Sequence, residues 1–301
     1  MRNIKLKHII RAVCVVLICI IVYGAFQTGL VVTQYTIETD KLTRPIRAVL
    51  ITDLHSSFYG DEQEELIAAI DAESPDIILM AGDIADDQRP HDGTIKLLDG
   101  IASRYDCYYV TGNHEFWSRQ AEAIKELFRS YGVNVLEGER MVVEVKGQLI
   151  NICGVDDPER AKGMHTEAEL DGQIVTFWGD EHPEFKDYFF KQAMANAFDG
   201  ADMSLYTILL SHRPERIGFV AGYSCDLVVS GHAHGGQWRI PFMLDGLYAP
   251  NQGLFPKYTS GVHTVNDSKM VISRGLARGS TRVPRIFNPP ELVVIDIVPQ
   301  E

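Results

Sequence analysis

Short apolar runs alternate with amphipathic segments from residue 47 to about residue 135. Three of the runs have the length and composition of buried strands, and they lie at Ala48–Ile51, Ile77–Ala81 and Cys107–Val110. Apolar residues at helical spacing follow each run, so helices are predicted at Asp61–Ala72, at Thr94–Ala102 and beyond Ser118. This alternation is typical of a parallel sheet that is covered by helices.

The pattern changes to period two after Gly132, which predicts an antiparallel portion. Two strands joined at Lys146 and Gly147 form a predicted hairpin, and the further predicted strands lie at Tyr206–Leu210, Asp226–Val229, Met270–Ser273 and Glu291–Ile297. Residues 156–204 form an acidic, aromatic insert with a predicted helix at Glu184–Phe198. This insert is either a lid or rim for a site, or a plain surface helix.

The N-terminal region contains an uncharged apolar run from Ala12 to Val32. At ~1.5 Å per residue this run spans a hydrocarbon core of ~30 Å. Basic residues precede it, which favours a cytoplasmic N-terminus and places the bulk of the chain on the extracytoplasmic side of a cell membrane. A cleaved signal peptide is the alternative. The predicted organisation is a basic tail (1–11), a transmembrane anchor (12–32), a linker (33–46) and one large domain (47–301).

Charge restricts the possible partners. The chain has 301 residues and a net charge of −13. Its first 37 residues contribute +4, so the remainder carries −17. A body this acidic repels polyanions, which argues against nucleic acid as a partner. The five cysteines contain no C-x-x-C spacing, so neither a disulfide framework nor a cysteine zinc site is indicated.

Potential metal ligands follow five of the predicted strands. Asp53 and His55 are two residues apart, so on an extended chain their side chains face the same side. The full set of strand ends is Asp53-x-His55, Gly82-Asp83, Gly112-Asn113-His114-Glu115, His212 and Gly231-His232-x-His234. Five such coincidences predict one metal centre.

These five motifs, in this order, resemble those of the calcineurin-like metallophosphoesterases, and the resemblance covers about Arg47 to Ile297. It implies an α/β/β/α fold, in which two mixed β-sheets pack as a sandwich flanked by helices. It also implies two divalent metal ions, with Mn, Fe or Zn favoured by mixed nitrogen and oxygen ligands, and a metal-bridging hydroxide as nucleophile. The implied ligands are Asp53, His55 and His234 for the first ion, Asn113, His212 and His232 for the second, and Asp83 as the bridge.

The resemblance also assigns residues to the substrate. His114 is expected to contact the phosphate and to stabilise the leaving oxygen, with Asp86 fixing its other ring nitrogen. Asp86 is alternatively a solvated loop acid. Arg213, Arg274 and Arg278 are candidates for binding a substrate phosphate, although a surface salt bridge is an equal alternative for Arg213.

Two further stretches, Gly235–Pro241 and Ser273–Leu276, resemble the membrane-anchored bacterial branch of this family. The expected function is therefore hydrolysis of a phosphodiester or pyrophosphate in a small or lipid-linked molecule. The alternatives are a phosphomonoesterase or protein phosphatase, and a non-catalytic metal-binding scaffold of the same fold. A nuclease is disfavoured by the acidic body.

Overall fold

The computed structural model of the protein describes residues 2–162, 164–170, 173–178, 183–278 and 284–300. Within these ranges there are six α-helices: α1 (Arg2–Ala25), α2 (Glu64–Glu73), α3 (Asp92–Ile101), α4 (Asn113–Trp117), α5 (Ala121–Ser130) and α6 (Pro183–Phe198).

Two six-stranded sheets form the centre of the molecule. The first has the order β1-β16-β2-β3-β4-β5, with strands β1 (Val31–Thr39), β2 (Ile46–Ile51), β3 (Ile77–Ala81), β4 (Asp106–Val110), β5 (Asn134–Val135) and β16 (Glu291–Pro299). In this sheet β2, β3, β4 and β5 are parallel, whereas β16 is antiparallel to β2.

The second sheet has the order β14-β15-β11-β10-β7-β6, with strands β6 (Glu139–Val145), β7 (Gln148–Val155), β10 (Tyr206–Ser211), β11 (Leu227–Ser230), β14 (Gly261–Val265) and β15 (Ser268–Ile272). Its four central strands are parallel, and both edge strands are antiparallel to their neighbours. Two small hairpins complete the strands: β8 (His165–Leu170) with β9 (Gln173–Trp178), and β12 (Tyr248–Ala249) with β13 (Gly253–Leu254).

The alternation of side chains along the strands explains the layers. Leu50 and Val49 are neighbours in β2 and point to opposite faces, as the pleat requires. Leu50 packs in the core between the two sheets, whereas Val49 packs in the core shared with α2, α3 and α5. The outer face of the second sheet is covered by α6 and by the 3₁₀ turn Pro214–Gly222. The fold implied by the resemblance, with two mixed sheets between helices, is confirmed.

The segment predicted as a linker is instead largely a strand. β1 pairs in parallel with β16 along its whole length, from Val31 with Glu291 to Thr39 with Pro299. The predicted anchor, residues 12–32, is therefore divided between α1 and β1. In the part of the chain that the structure describes, no helix is both long and apolar enough to cross a membrane.

The helix predicted in the insert at Glu184–Phe198 is confirmed as α6, Pro183–Phe198. α6 buries Phe190, Met194 and Ala197 against the second sheet, so this helix is part of the outer layer and not a lid. The hairpin of β8 and β9 had no recognisable signal in the sequence. Residues 163, 171–172 and 179–182 of the insert lie outside the described residues.

A buried ion pair joins the two sheets near the ends of β4 and β7. The Lys125 ammonium on α5 lies 3.0 Å from Asp156, which follows β7, and 2.8 Å from Glu137. The other carboxylate oxygen of Asp156 accepts a 2.6 Å hydrogen bond from the Thr111 hydroxyl, directly after β4. These contacts fix the spacing of the loops that carry the site.

Candidate metal centre

All seven predicted metal ligands lie together where parallel strands of the two sheets end. Asp53 and His55 follow β2, Asp83 follows β3, and Asn113 begins α4 directly after β4. From the second sheet, His212 follows β10, while His232 and His234 follow β11. The carboxyl ends of parallel strands are the usual position of such sites in α/β folds.

The ligand atoms form two adjoining groups. Those of Asp53, His55 and His234 lie within 4.8 Å of one another, as do those of Asp83, His212 and His232. Asp83 lies between the groups, because its Oδ2 is 3.1 Å from Nε2 of His212 and 3.8 Å from Nε2 of His55. One carboxylate is thus positioned to contact two ions.

Several of these atoms are buried without a hydrogen-bond partner among the described residues. Buried polar atoms are normally paired, so such a concentration needs a reason. Carboxylate, amide and imidazole lone pairs that face the same spaces form a donor set suited to divalent cations. The residues therefore fit two metal ions, and the atoms without a hydrogen bond are Asp83 Oδ2, Asn113 Oδ1, and Nε2 of His55 and of His212.

Hydrogen bonds on the far side orient two of the imidazoles. Nδ1 of His212 lies 2.8 Å from the carbonyl oxygen of Ala81, so Nδ1 carries a proton and Nε2 is the nitrogen whose lone pair is available to a cation when the ring is neutral. Nε2 of His232 lies 2.9 Å from Oδ1 of Asn251, which leaves Nδ1 for a ligand. Asn251 was missed by the sequence analysis because it lies in the turn of the short β12–β13 hairpin, 17 residues beyond His234, where no motif marks it.

Electrostatics within the cluster are strong because water is excluded. Burial alone would raise the pKa of Asp83, but the imidazoles around it, His212 first, hold that pKa well below its ordinary value. Burial opposes the charged form of His212 too, yet the carboxylates of Asp83 and Asp53 raise its pKa to about 10. Without cations, the carboxylates draw protons onto this histidine.

Five of the seven candidate ligands have a left-handed backbone, with φ of 49° at Asp53, 48° at His55, 53° at Asp83, 65° at His232 and 47° at His234. Residues other than glycine pay about 1–3 kcal/mol each for such conformations, and somewhat less at aspartate. Strain of this kind persists only where the surrounding contacts fix the backbone.

Glu115 supplies many of those contacts. Its buried carboxylate accepts hydrogen bonds from the backbone N–H groups of Asp83, Ala85 and Gly112, which ties the loops after β3 and β4 together. Burial, together with the nearby charge of Asp83, raises the pKa of Glu115 to about 7. Glycine is required at residue 82, because the backbone φ of Gly82 is +86° and a Cβ atom on it would lie 2.5 Å from Nδ1 of His212.

His114 lies at the edge of this cluster, with its ring 4.3 Å from that of His55. Its Nδ1 is 2.7 Å from Oδ1 of Asp87, not from Asp86 as predicted. A carboxylate oxygen of Asp86 also lies within 4.8 Å of a ring nitrogen of His114. The hydrogen-bond partners of Asp86 are different, since its Oδ1 accepts from the backbone N–H of Gln88 at 2.9 Å and its Oδ2 lies 3.3 Å from Nδ1 of His55. The carboxylate of the histidine pair is therefore one residue further along the loop.

Arg213, predicted as a substrate ligand or a surface salt bridge, forms a buried ion pair. Its guanidinium binds both carboxylate oxygens of Asp157, at 2.6 and 2.9 Å, and also reaches Oδ1 of Asn251 at 3.1 Å. Burial would lower the pKa of Arg213, but Asp157 outweighs it and raises that pKa. Arg213 thus supports the loop of Asn251, and through it His232.

The other two predicted arginines also have protein partners. Arg274 pairs with Glu291 at 3.0 Å, at the start of β16. Arg278 donates to the carbonyl oxygen of Phe58 and lies 5.0 Å from the centre of the Tyr59 ring. Arg278 lines a small cleft of about 310 Å³ beside residues 56–58, so among the three it has the most open position.

An arginine outside the prediction approaches the cluster more closely. Nη2 of Arg285 lies 3.4 Å from Nδ1 of His234. Burial lowers the pKa of Arg285 to about 10, partly offset by the carboxylate of Asp53, so its guanidinium stays charged at neutral pH. The sequence around Arg285 offers no motif by which it could have been chosen.

Comparison with known proteins agrees with the motifs. The family described as calcineurin-like phosphoesterase matches residues 46–236, which is more than half of the chain. A metallophosphoesterase of Campylobacter jejuni is 25% identical, and the alignment covers 98% of this chain and 71% of that protein. One of Aquifex aeolicus is 29% identical over 88% of this chain and 91% of its own.

Among solved structures, the phosphopantetheinyl hydrolase of Mycobacterium tuberculosis superposes with a TM-score of 0.48 and 15% identity. The superposition covers 80% of this chain and 92% of that one.

Replacing Arg213 tests its structural position. Arg213→Gln is expected to lower the free energy of unfolding by about 3–5 kcal/mol, because it leaves the buried carboxylate of Asp157 without its cation. The matched control is Arg104→Gln, which breaks an exposed pair with Asp71 and should cost below about 1 kcal/mol. Urea unfolding followed by circular dichroism measures both, and equal losses would contradict the buried pair.

Proposed function

Because the chain belongs to the calcineurin-like phosphoesterase family, and so is a phosphoester hydrolase that uses two divalent metal ions, we propose that it cleaves a phosphodiester or pyrophosphate. The substrate is a small or lipid-linked molecule. The observation that carries this proposal is the pair of adjoining Asp/His groups with buried, unpartnered ligand atoms. Each group has the geometry to hold one ion.

The proposed ligands are those expected from the motifs. Two divalent ions about 3.5–4 Å apart would supply positive charge for the phosphoryl group. They would also lower the pKa of bound water to near neutral pH. The carboxylates of Asp53 and Asp83 offset part of that charge, so the centre remains net positive for an anionic substrate. The assignment is Asp53, His55 and His234 for one ion, Asn113, His212 and His232 for the other, and Asp83 for both.

His114 is proposed to hold a proton for the leaving oxygen. Its side chain is 12% exposed, against 0–2% for His55, Asp83 and His212, so it can meet a substrate at the mouth of the site. The carboxylate of Asp87 fixes Nδ1, which leaves Nε2 for the substrate.

A cleft next to His114 supports the preference for a diester or pyrophosphate. It has a volume of about 1200 Å³ and is lined by Phe116, Trp117, Arg119 and Lys162 among others. The Trp117 ring lies 4.8 Å from that of His114. A second substituent on the phosphorus that extends past Trp117 would find room, an aromatic face and cationic side chains in this cleft.

Hydrolysis of bis(p-nitrophenyl) phosphate with added Mn²⁺ tests the function. Asp83→Asn is expected to lower the rate by more than about 100-fold, the upper range for residues that only orient a ligand. Asp106→Asn, an exposed carboxylate at the start of β4, is the control. Full activity in Asp83→Asn would refute the site, and faster turnover of p-nitrophenyl phosphate than of the diester would favour a phosphomonoesterase.

The neighbouring aspartates should have separable roles. Asp87→Asn is expected to lower kcat about 10–100-fold at saturating metal, because it releases His114. Asp86→Asn should instead weaken metal affinity about 10–100-fold through His55, and excess metal should restore its kcat. Metal titrations of the rate distinguish them. If instead Asp86→Asn lowered kcat at saturating metal and Asp87→Asn weakened metal affinity, Asp86 would be the carboxylate that fixes His114.

We also propose that the N-terminal segment attaches the protein to a cell membrane, with the catalytic domain on the extracytoplasmic side. Apolar side chains of α1 are exposed from Ile10 to Tyr23. Phe242 and Met243, in the loop that follows the histidines of β11, are also fully or largely exposed, at 108% and 84%. Both features support contact with lipid.

Carbonate extraction of membranes tests the attachment. The full chain should remain in the membrane pellet, and Val16→Glu with Ile20→Glu should shift it to the supernatant, because charges at these positions oppose contact with hydrocarbon. Val142→Glu, at an equally exposed apolar position on β6, is the control. Recovery of the unaltered chain in the supernatant would contradict the proposal, and protease protection of the domain in spheroplasts would contradict its orientation.

A further inference from the structure

Arg285 lies on a segment that is tied to the loop of His234. The backbone N–H of Ile286 donates to the carbonyl oxygen of Gln237 at 3.2 Å, and that of Arg239 donates to the carbonyl oxygen of Ile286 at 2.9 Å. The side chain of Asn288 donates to the carbonyl oxygen of His234 at 2.7 Å. The segment on the carboxyl side of Arg285 is therefore fixed against the loop of His234.

The guanidinium of Arg285 is only partly used within the protein. Its Nη1 is buried and has no hydrogen-bond partner among the described residues. Within those residues no carboxylate lies at ion-pair distance from it, in contrast to Arg213 with Asp157 and Arg274 with Glu291. A buried N–H group left without a partner costs about 1–3 kcal/mol, and more when it is charged.

Its one contact is weak and conflicts with metal binding. A neutral imidazole has a single lone pair, so His234 can accept from Arg285 at Nδ1 only if Nε2 carries the proton. Nε2 is the nitrogen that faces Asp53, at 3.6 Å. If Nε2 gives its lone pair to a metal, Nδ1 holds the proton and can no longer accept. With metal bound, the guanidinium is free for another acceptor.

We propose that Arg285 binds the non-bridging oxygens of the substrate phosphoryl group beside the metal ions. This inference rests on the proposed function, because it places the phosphoryl group at the same centre. Arginine suits the task, since its planar fork presents paired N–H donors to phosphate oxygens. Arg285 thus has the phosphate-binding role for which the sequence offered Arg213, Arg274 and Arg278 as candidates.

Calorimetry with inorganic phosphate tests the proposal without turnover. The full chain, loaded with Mn²⁺, should bind phosphate, and Arg285→Gln should raise the Kd about 10–100-fold, the usual worth of hydrogen bonds to a charged group. Arg285→Lys should lie between the two, because it keeps the charge but loses the fork. Arg104→Gln, at an exposed arginine away from the site, should leave the Kd unchanged.

Metal analysis of the same samples makes the result decisive. Arg285→Gln should retain both Mn²⁺ ions, because Arg285 is not a ligand. An unchanged Kd with both ions present would overturn the inference, and so would loss of an ion, which would make Arg285 a residue that positions His234. A weakened Kd in a protein that hydrolyses no phosphoester would uphold the inference while refuting the proposed function.

Discussion

The structure depends on holding a concentration of buried Asp and His side chains at one point between two sheets. Buried carboxylates repel one another or take up protons unless cations neutralise their charge. The chain nevertheless brings them together, with Asp53 accepting the backbone N–H of His232 at 3.0 and 3.1 Å across the junction of the sheets. Packing and hydrogen bonds elsewhere must offset this cost, and bound metal would relieve it.

The loops around the centre show where that support comes from. The backbone N–H groups of Asp53, His55 and Ser56 donate to the carbonyl oxygens of residues 82–84, so the chain after β2 runs alongside the chain after β3. Glu115 fixes the third loop to the second. A backbone secured in this way can keep the left-handed conformations that aim each ligand inwards, because opening any one of them breaks several hydrogen bonds.

The arginines divide into those that build the site and one that remains available. Arg213 and Arg274 are engaged by carboxylates, and their contribution is to fix neighbouring loops. Arg285 has no such partner among the described residues, and it lies against a ligand whose own chemistry changes when metal binds. In a centre of two cations, an additional positive group is tolerable only where an anion separates them, which is what a phosphoryl group provides.

The sequence by itself predicted the parallel sheet, most strand positions and, through its resemblance to a known family, the seven candidate ligands. Apolar runs of strand length and the residues that directly follow them are local features, and ligands at strand ends need no knowledge of side-chain packing. The tertiary structure decided what depends on long-range contacts: the pairing of β1 with β16, the burial of α6, the hydrogen bond of His114 to Asp87, and the contacts of each arginine. A side chain's partner depends on which loops meet in space, and Asn251, in the turn of a short hairpin, and Arg285, outside any helix or named strand, lie in segments that have no periodic pattern.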